Sequence, residues 1–210
     1  MSYDRLDGTD RQSLFPGKLI ILTNGLIHSN KGIEYVIRAM PAVLKVIPNA
    51  MYLVCGDLQP NSNYEIYYDM LLKEAEHYAP NNTFFNKSFS TNEELYLLLR
   101  NAAVYINAYI NRDQAVSGTL AMAIGTGAVS ISTPYSFASE MLSPDDSGDA
   151  GGILIPRQDS AAISSALISI LSNSKLRSSM SEAAYKRARE ITWDKVARRY
   201  LDIALNITPN

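Results

Sequence analysis

The chain has 210 residues, of which 47% are hydrophobic and 19% charged, and its net charge at pH 7 is -2. This length is enough to bury a sizeable core, and the composition is ordinary for a globular protein. A charge so close to neutral disfavours nucleic acid as a partner. Cys55 is the only cysteine, so an internal disulfide is excluded.

Neither a secretory signal nor a membrane span is indicated. The N-terminus has no apolar core after its charges, and no window has the roughly 18 continuous apolar residues that a span requires. We therefore expect a protein of the reducing cytoplasm. The basic residues near the C-terminus leave a second possibility, peripheral contact with anionic lipid or with a partner domain. A solvated helical face is the simpler interpretation of the same residues. They are Lys175, Arg177, Lys186, Arg187, Arg189, Lys195, Arg198 and Arg199.

In chain order, residues 1–16 are polar and predict a tail or linker, and residues 17–210 predict one domain. From Lys18 onward, short apolar runs of strand length alternate with segments of helical spacing. The six predicted strands are 19–23, 51–55, 83–85, 104–110, 128–132 and 152–156. The predicted helices between and after them are 33–47, 64–78, 95–101, 117–124 and 161–171, followed by two further helical stretches.

This alternation predicts an α/β fold with a doubly wound parallel sheet of about six strands and helices on both faces. In a Rossmann-like fold of this kind, ligands bind at the carboxyl ends of the strands. The loops that follow the strands are therefore where candidate site residues are expected.

One candidate loop, residues 24–32, joins the first strand to the first helix. Gly25 allows a sharp turn and close approach of a phosphate, and Lys31 can supply a positive charge just ahead of the helix. The spacing matches neither a Walker loop nor a dinucleotide-binding glycine motif, so neither ATP nor NAD is indicated. The alternative interpretation of this loop is a plain strand-to-helix turn with a solvent-exposed lysine.

A second candidate is Ser117-Gly118-Thr119, which follows the fourth strand and opens another helix. Its hydroxyls and free backbone N–H groups can also hold an anion. Ordinary N-capping by Ser117 is the alternative. Two such sites, both at the carboxyl ends of strands, favour a diphosphate as the ligand more than either site does alone.

Other chemistry is disfavoured. His28 and His77 are the only histidines, and with one cysteine they cannot complete a tetrahedral metal site, so no metal is expected. No convincing hydrolase triad can be assembled either.

Several segments of the sequence resemble a known family. Residues 25–37 are similar to the glycine-to-lysine loop and first helix of the C-terminal domain of glycosyltransferase family 4. Further segments follow in the order usual for that family, so the resemblance extends over residues 18–205. They are 107–111, Gln114, 117–125, 132–135, 152–156 and 192–194.

The resemblance implies a two-domain GT-B enzyme that retains configuration and transfers a sugar from a nucleotide diphosphate sugar without a metal. The C-terminal domain would hold the donor, and a separate N-terminal domain would supply most of the acceptor site. By position, the diphosphate would meet Gly25 and Lys31, and the phosphate or ribose would meet Ser117, Gly118 and Thr119. His28 is a further candidate for binding the donor. Lys87, Ser88 and Phe89 would line the base pocket.

The chain also departs from the family pattern. Leu26 stands where most members carry an arginine, and Arg112 and Leu120 stand where they carry two glutamates that contact the donor. Asp113, Gln114 or Ser117 can substitute, and we take Lys31, Asp113 and Gln114 as the catalytic candidates.

The departures favour an alternative, a non-catalytic module that binds a nucleotide sugar or acts as a scaffold. A third hypothesis, a flavodoxin-like signalling domain, is disfavoured because no acidic phospho-acceptor cluster follows the strands.

Overall fold

A computed structural model of the chain describes residues 15–58, 62–87, 91–145 and 148–207. Six strands form one parallel sheet in the order β3-β2-β1-β4-β5-β6. The strands are β1 Leu19–Asn24, β2 Ala50–Cys55, β3 Thr83–Asn86, β4 Val104–Asn107, β5 Ser130–Ser132 and β6 Gly152–Leu154. The helices are α1 Ile33–Val46, α2 Ser62–Tyr78, α3 Asn92–Asn101, α4 Gly118–Gly125, α5 Ser136–Leu142, α6 Ser160–Leu171, α7 Ser174–Ala188 and α8 Trp193–Ile207.

The central strands β1, β2 and β4 are mainly apolar and are buried along nearly their whole length, because helices cover both faces of the sheet. Ile21 and Val54 point into a core formed with α1, α2 and α6. Ile20 and Leu53, one position earlier on each strand, point into a second core formed with α3, α4, α5 and α7. The predicted doubly wound, Rossmann-like fold is therefore confirmed.

The strand order reverses between β1 and β4. From β1 the chain moves outward to β3, then crosses back so that β4 pairs with the other edge of β1, with Ile21 opposite Val104. The connections that leave β1 and β4 run to helices on opposite faces of the sheet, which opens a crevice at the carboxyl ends of these strands. Both predicted anion-binding loops begin at this crevice.

The structure corrects the predicted length of β4. The sequence predicts a strand through Ile110, but β4 ends at Asn107. The backbone groups beyond it bond to neighbouring loops rather than to a strand. Ile110 N–H donates to Asn30 O at 3.0 Å, and the Thr133 hydroxyl donates to Tyr109 O at 2.8 Å.

Helix α5 was missed, since its seven residues carry no side-chain cap and give too short a window for helical spacing to stand out. The caps that the sequence did signal are present. Thr91 and Glu94 form a capping box at α3. Ser117 caps α4 and Asp159 caps α6.

Helix α8 is amphipathic, yet its apolar face is largely exposed. Its packing within the described residues is mainly against the short 3-10 turn Arg189–Ile191 that precedes it. Trp193 is 88% exposed. The other exposed apolar residues of α8 are Tyr200, Leu201, Ile203 and Leu205. Within the ranges that the structure describes, no helix is long and apolar enough to cross a membrane.

Candidate functional site

The loop after β1 turns sharply at Gly25, which has a φ of 110°. Its N–H donates to Cys55 O at 2.9 Å, so the loop folds directly over the end of β2. Beneath it lies Gly56, where an added Cβ would come within 2.2 Å of Gly25 O. Glycine is therefore required at both positions, at Gly25 for its backbone conformation and at Gly56 also for space.

Lys31 ends the 3-10 turn Ser29–Lys31 and is only 6% exposed. Its ammonium Nζ donates to Asn24 O at 3.1 Å and to Tyr109 Oη at 3.2 Å. Neither partner is charged, and no carboxylate of the described residues forms an ion pair with Lys31. An ammonium has three N–H donors, so one is left for a ligand. A buried cation without a carboxylate is costly, and a bound anion relieves that cost.

Across the crevice, Ser117 opens α4 and accepts a hydrogen bond from Leu120 N–H at 3.2 Å. Its hydroxyl lies 3.1 Å from Thr119 Oγ1, and Thr119 in turn accepts from Tyr105 Oη at 2.8 Å. Nothing lies within 4 Å of a Cβ built on Gly118. Gly118 is exposed, and the N–H groups of Gly118 and Thr119, in the first turn of α4, have no partner within the helix, so an anion can approach them.

The structure brings the two loops together into one site. A Cβ built on Gly25 would lie 3.0 Å from Lys31 Nζ and 3.4 Å from Thr119 Cγ2. The loops are also tied by Asn30, whose Oδ1 accepts from Asn111 N–H at 2.6 Å. Both candidate anion sites thus flank one gap at the switch point of the sheet.

The electrostatics of this gap are positive. His28 is half-buried, and its pKa is lowered below the ordinary value, first by burial and then by the charge of Lys31. Burial alone raises the pKa of Tyr109, but the Lys31 charge and hydrogen bonds from Ser117, Lys31 and Thr119 lower it below its ordinary value. The positive charge of Lys31 is among the causes of both shifts.

Other sequence candidates lie outside this cluster. Asp113 and Gln114 occupy the loop before α4, where Asp113 N–H donates to Asn111 Oδ1 and Gln114 donates to Val116 O. The structure shows no bond from either side chain to Lys31. Lys87 follows β3, two strands from β1, with its Nζ 4.8 Å from the centre of the Tyr68 ring. Ser88 and Phe89 lie outside the described residues.

Leu120, which the sequence resemblance aligns with a family glutamate, is fully buried in the core under α4. It therefore cannot contact a ligand. Arg112, at the other glutamate position, is exposed on the loop before α4.

Sequence reasoning missed Tyr105, Asn107 and Tyr109, which line the base of the site. The Asn107 amide donates to Ser117 Oγ and to Tyr135 Oη, each at 3.2 Å. The available signal was a run of polar and aromatic residues replacing aliphatic ones at the carboxyl end of a buried strand. In the part of the chain that the structure describes, no group of three or more His, Cys, Asp or Glu side chains is placed to hold a metal.

Comparison with known proteins identifies the family. The profile of the glycosyl transferases group 1 family matches residues 8–187. The chain belongs to this family. No curated protein sequence matches it.

Solved structures share the fold of this group 1 glycosyl transferase chain. The C-terminal domain of a group 1 family protein from Francisella tularensis is 20% identical with a TM-score of 0.68, and the match covers 87% of this chain and 86% of that one. Sucrose-phosphate synthase from Thermosynechococcus elongatus is 19% identical with a TM-score of 0.76, over 91% of this chain and 46% of that one. A UDP-forming α,α-trehalose-phosphate synthase from Burkholderia xenovorans is 15% identical with a TM-score of 0.76, over 93% and 46%. This group 1 chain therefore spans less than half the length of either synthase.

Proposed function

We propose that this chain is the donor-binding half of a retaining glycosyltransferase that uses a nucleotide diphosphate sugar. One observation carries the proposal: the buried Lys31 ammonium, which pairs with no carboxylate of the described residues, lies beside Gly25 and Thr119 at the N-terminus of α4. A diphosphate placed there is the anion that would neutralise the lysine. Membership of the group 1 family, and the name of the UDP-forming synthase that shares the fold, support a nucleoside diphosphate as the leaving group.

The chemistry that this site supports is departure of the diphosphate. The bond from the anomeric carbon to the diphosphate oxygen breaks, and that oxygen keeps the electron pair. The acceptor hydroxyl oxygen bonds to the same carbon, and its proton passes to the departing phosphate. Lys31 and the N–H groups of Gly118 and Thr119 stabilise the new negative charge as fixed dipoles and a fixed cation, with little reorganisation and without a metal.

The remaining parts of the donor are assigned by position. Lys87, with Ser88 and Phe89 outside the described residues, would bound the base, and His28 would lie near the diphosphate beside Lys31. Asp113 and Gln114, on the exposed loop before α4, are the candidates for contacting the sugar, because both carry the oxygen acceptors that sugar hydroxyls need.

A second domain that holds the acceptor belongs to this proposal, in the same polypeptide or in another chain. Two observations support it. The synthases that share the fold are about twice as long as the aligned region. In addition, α8 presents an apolar face whose aromatic residues, Trp193 and Tyr200, are mainly exposed. Exposed apolar patches of this kind mark interaction surfaces.

The proposal is tested by thermal unfolding of the chain with UDP-, GDP- and ADP-sugars at millimolar concentration. A ligand that binds only the folded state at 100 times its Kd stabilises it by about 2.7 kcal/mol. For a domain of this size, each kcal/mol moves the Tm by about 2–4 °C. One of the nucleotide sugars is expected to raise the Tm by several degrees. No shift with any of them would refute the donor site.

A non-catalytic module that binds the same donor is the second candidate. The burial of Leu120 favours it, because the donor contact that a family glutamate makes at this position is lost. The test is to supply the acceptor domain and assay sugar transfer. A chain that binds the donor but transfers no sugar is the non-catalytic module.

A further inference from the structure

The side chain that holds Lys31 is Tyr109, at the carboxyl end of β4. Within the described residues, Tyr109 supplies the one side-chain hydrogen bond to the ammonium, with Lys31 Nζ at 3.2 Å from Tyr109 Oη. The same ammonium lies 4.9 Å from the centre of the Tyr109 ring. The ammonium thus lies toward the hydroxyl end of the ring, and the phenol oxygen accepts a hydrogen bond from it.

Tyr109 also reaches the opposite loop. Its hydroxyl lies 3.4 Å from Ser117 Oγ, which in turn lies 3.1 Å from Thr119 Oγ1. A chain of hydrogen bonds therefore runs from Lys31 through Tyr109 to the two hydroxyls at the start of α4. Tyr109 is buried, which limits competition from water for these bonds.

We propose that Tyr109 is a positioning residue of the donor site, which fixes the Lys31 ammonium between the two loops and couples it to the hydroxyls of Ser117 and Thr119. This inference rests on the proposed function. A lysine has a long flexible stem, and holding its ammonium in place before the ligand arrives reduces the entropy lost on binding. Phenylalanine at this position would keep the ring and lose both hydrogen bonds.

The contact between Tyr109 and Lys31 should make ligand binding depend on pH. A tyrosinate at position 109 would neutralise Lys31 and repel the diphosphate, so binding should weaken at alkaline pH. The titratable groups facing Tyr109 are Lys31, Tyr105 and Tyr135, and of these Lys31 is the charged one. Burial raises the pKa of Tyr105, and it raises the pKa of Tyr135 to about 12. The pKa of Tyr109 is lowered, so Tyr109 loses its proton at a lower pH than either of them.

The test measures the Kd of UDP for the chain from pH 7.5 to 10.5 in the wild type, Tyr109→Phe and Tyr135→Phe. At pH 7.5, Tyr109→Phe is expected to bind about 2- to 12-fold more weakly, because the hydrogen bond that it loses to Lys31 is worth about 0.5–1.5 kcal/mol. Its alkaline loss of binding should move to higher pH. Tyr135→Phe removes an equally buried hydroxyl that bonds Asn107 rather than Lys31, and it should keep the wild-type midpoint. All three proteins meet the same ligand, so ionisation of UDP itself cancels in the comparison.

The outcomes separate this inference from the proposed function. If the wild type binds UDP but Tyr109→Phe has the same Kd and pH midpoint, the role of Tyr109 is wrong and the donor site stands. If the wild type binds no nucleoside diphosphate, both the role of Tyr109 and the proposed donor site are wrong. Should Tyr109→Phe fail to fold, ¹³C NMR of ζ-labelled tyrosines in the wild type and Lys31→Met replaces it. One tyrosine must then titrate at higher pH in Lys31→Met, and no such shift would overturn the coupling.

Discussion

Gly25 and Lys31 face each other across the loop that follows β1: a Cβ built on Gly25 would lie 3.0 Å from Lys31 Nζ. Gly25→Ala should therefore displace the ammonium and also strain the backbone, whose φ is 110°. Strain of this kind costs about 1–2 kcal/mol, which corresponds to a fall in Tm of roughly 2–8 °C. We expect nucleotide affinity to fall as well, which a titration with UDP measures.

The matched control for this prediction is Gly17→Ala. Gly17 also has a positive φ, of 74°, but nothing lies within 4 Å of its added Cβ. It should lose stability and keep its affinity for UDP. Equal loss of affinity in both variants would show that backbone strain, rather than contact with Lys31, governs binding.

Lys31→Met should abolish most of the binding of a nucleoside diphosphate. A charge-assisted hydrogen bond is worth about 1.5–3 kcal/mol, so the Kd should rise by about 10- to 150-fold. The stability of the ligand-free protein should change little, because the variant also removes the cost of burying a cation. Calorimetric titration and thermal unfolding measure the two quantities. Lys45→Met, at an exposed position of α1, is the control and should bind like the wild type.

His28 should make stability depend on pH. Because its pKa in the folded protein is lowered by burial and by Lys31, the unfolded chain binds the proton more readily. The free energy of unfolding therefore falls as the pH drops below about 6.5, the ordinary histidine value. His28→Gln should flatten this part of the pH profile, while His77→Gln, at an exposed position of α2, should not.

Binding of an anionic ligand should shift the pKa of His28 upward. Negative charge bound beside Lys31 favours the protonated imidazole, so the NMR titration midpoint of the His28 ring should rise when UDP is added. An unchanged midpoint at saturating UDP would mean that the diphosphate lies elsewhere.

Helix α8 should act in assembly rather than in the stability of this chain. Tyr200 and Leu201 are mainly exposed, so replacing both with serine should change the free energy of unfolding by less than about 1 kcal/mol. Association with the acceptor domain should weaken by about fivefold or more, since an interface anchor contributes over about 1 kcal/mol. Asp202→Asn, on the polar face of the helix, is the control. A large fall in Tm for the serine variant would instead show that α8 packs on this domain.

The fold was predictable from the sequence because the buried strands are apolar runs that alternate with helical spacing. Leu19 to Leu22 and Met51 to Cys55 cannot lie on a solvated surface, and helices α3, α4 and α6 carry recognisable caps. Element ends were less predictable. Nothing local in residues 108–110 signals that their backbone groups bond to Asn30 and Thr133, which are distant in sequence.

Only part of the candidate site could be predicted from the sequence. Gly25, Lys31 and Ser117 stand at strand ends, where the fold itself predicts a ligand, and the structure places these loops together. Tyr109 was not predicted, because its role depends on a contact with Lys31, 78 positions away in the sequence. The burial of Lys31 was also not predictable, since a lysine in a loop is ordinarily exposed.

The central claim, that a diphosphate binds between the loops after β1 and β4, is tested most directly by amide NMR of the labelled chain during addition of UDP. The account predicts that the largest shift changes occur at Gly25, Lys31, Gly118 and Thr119, and that Lys31→Met removes them. Saturable changes centred elsewhere, at the amino ends of the strands or on α8, would contradict it.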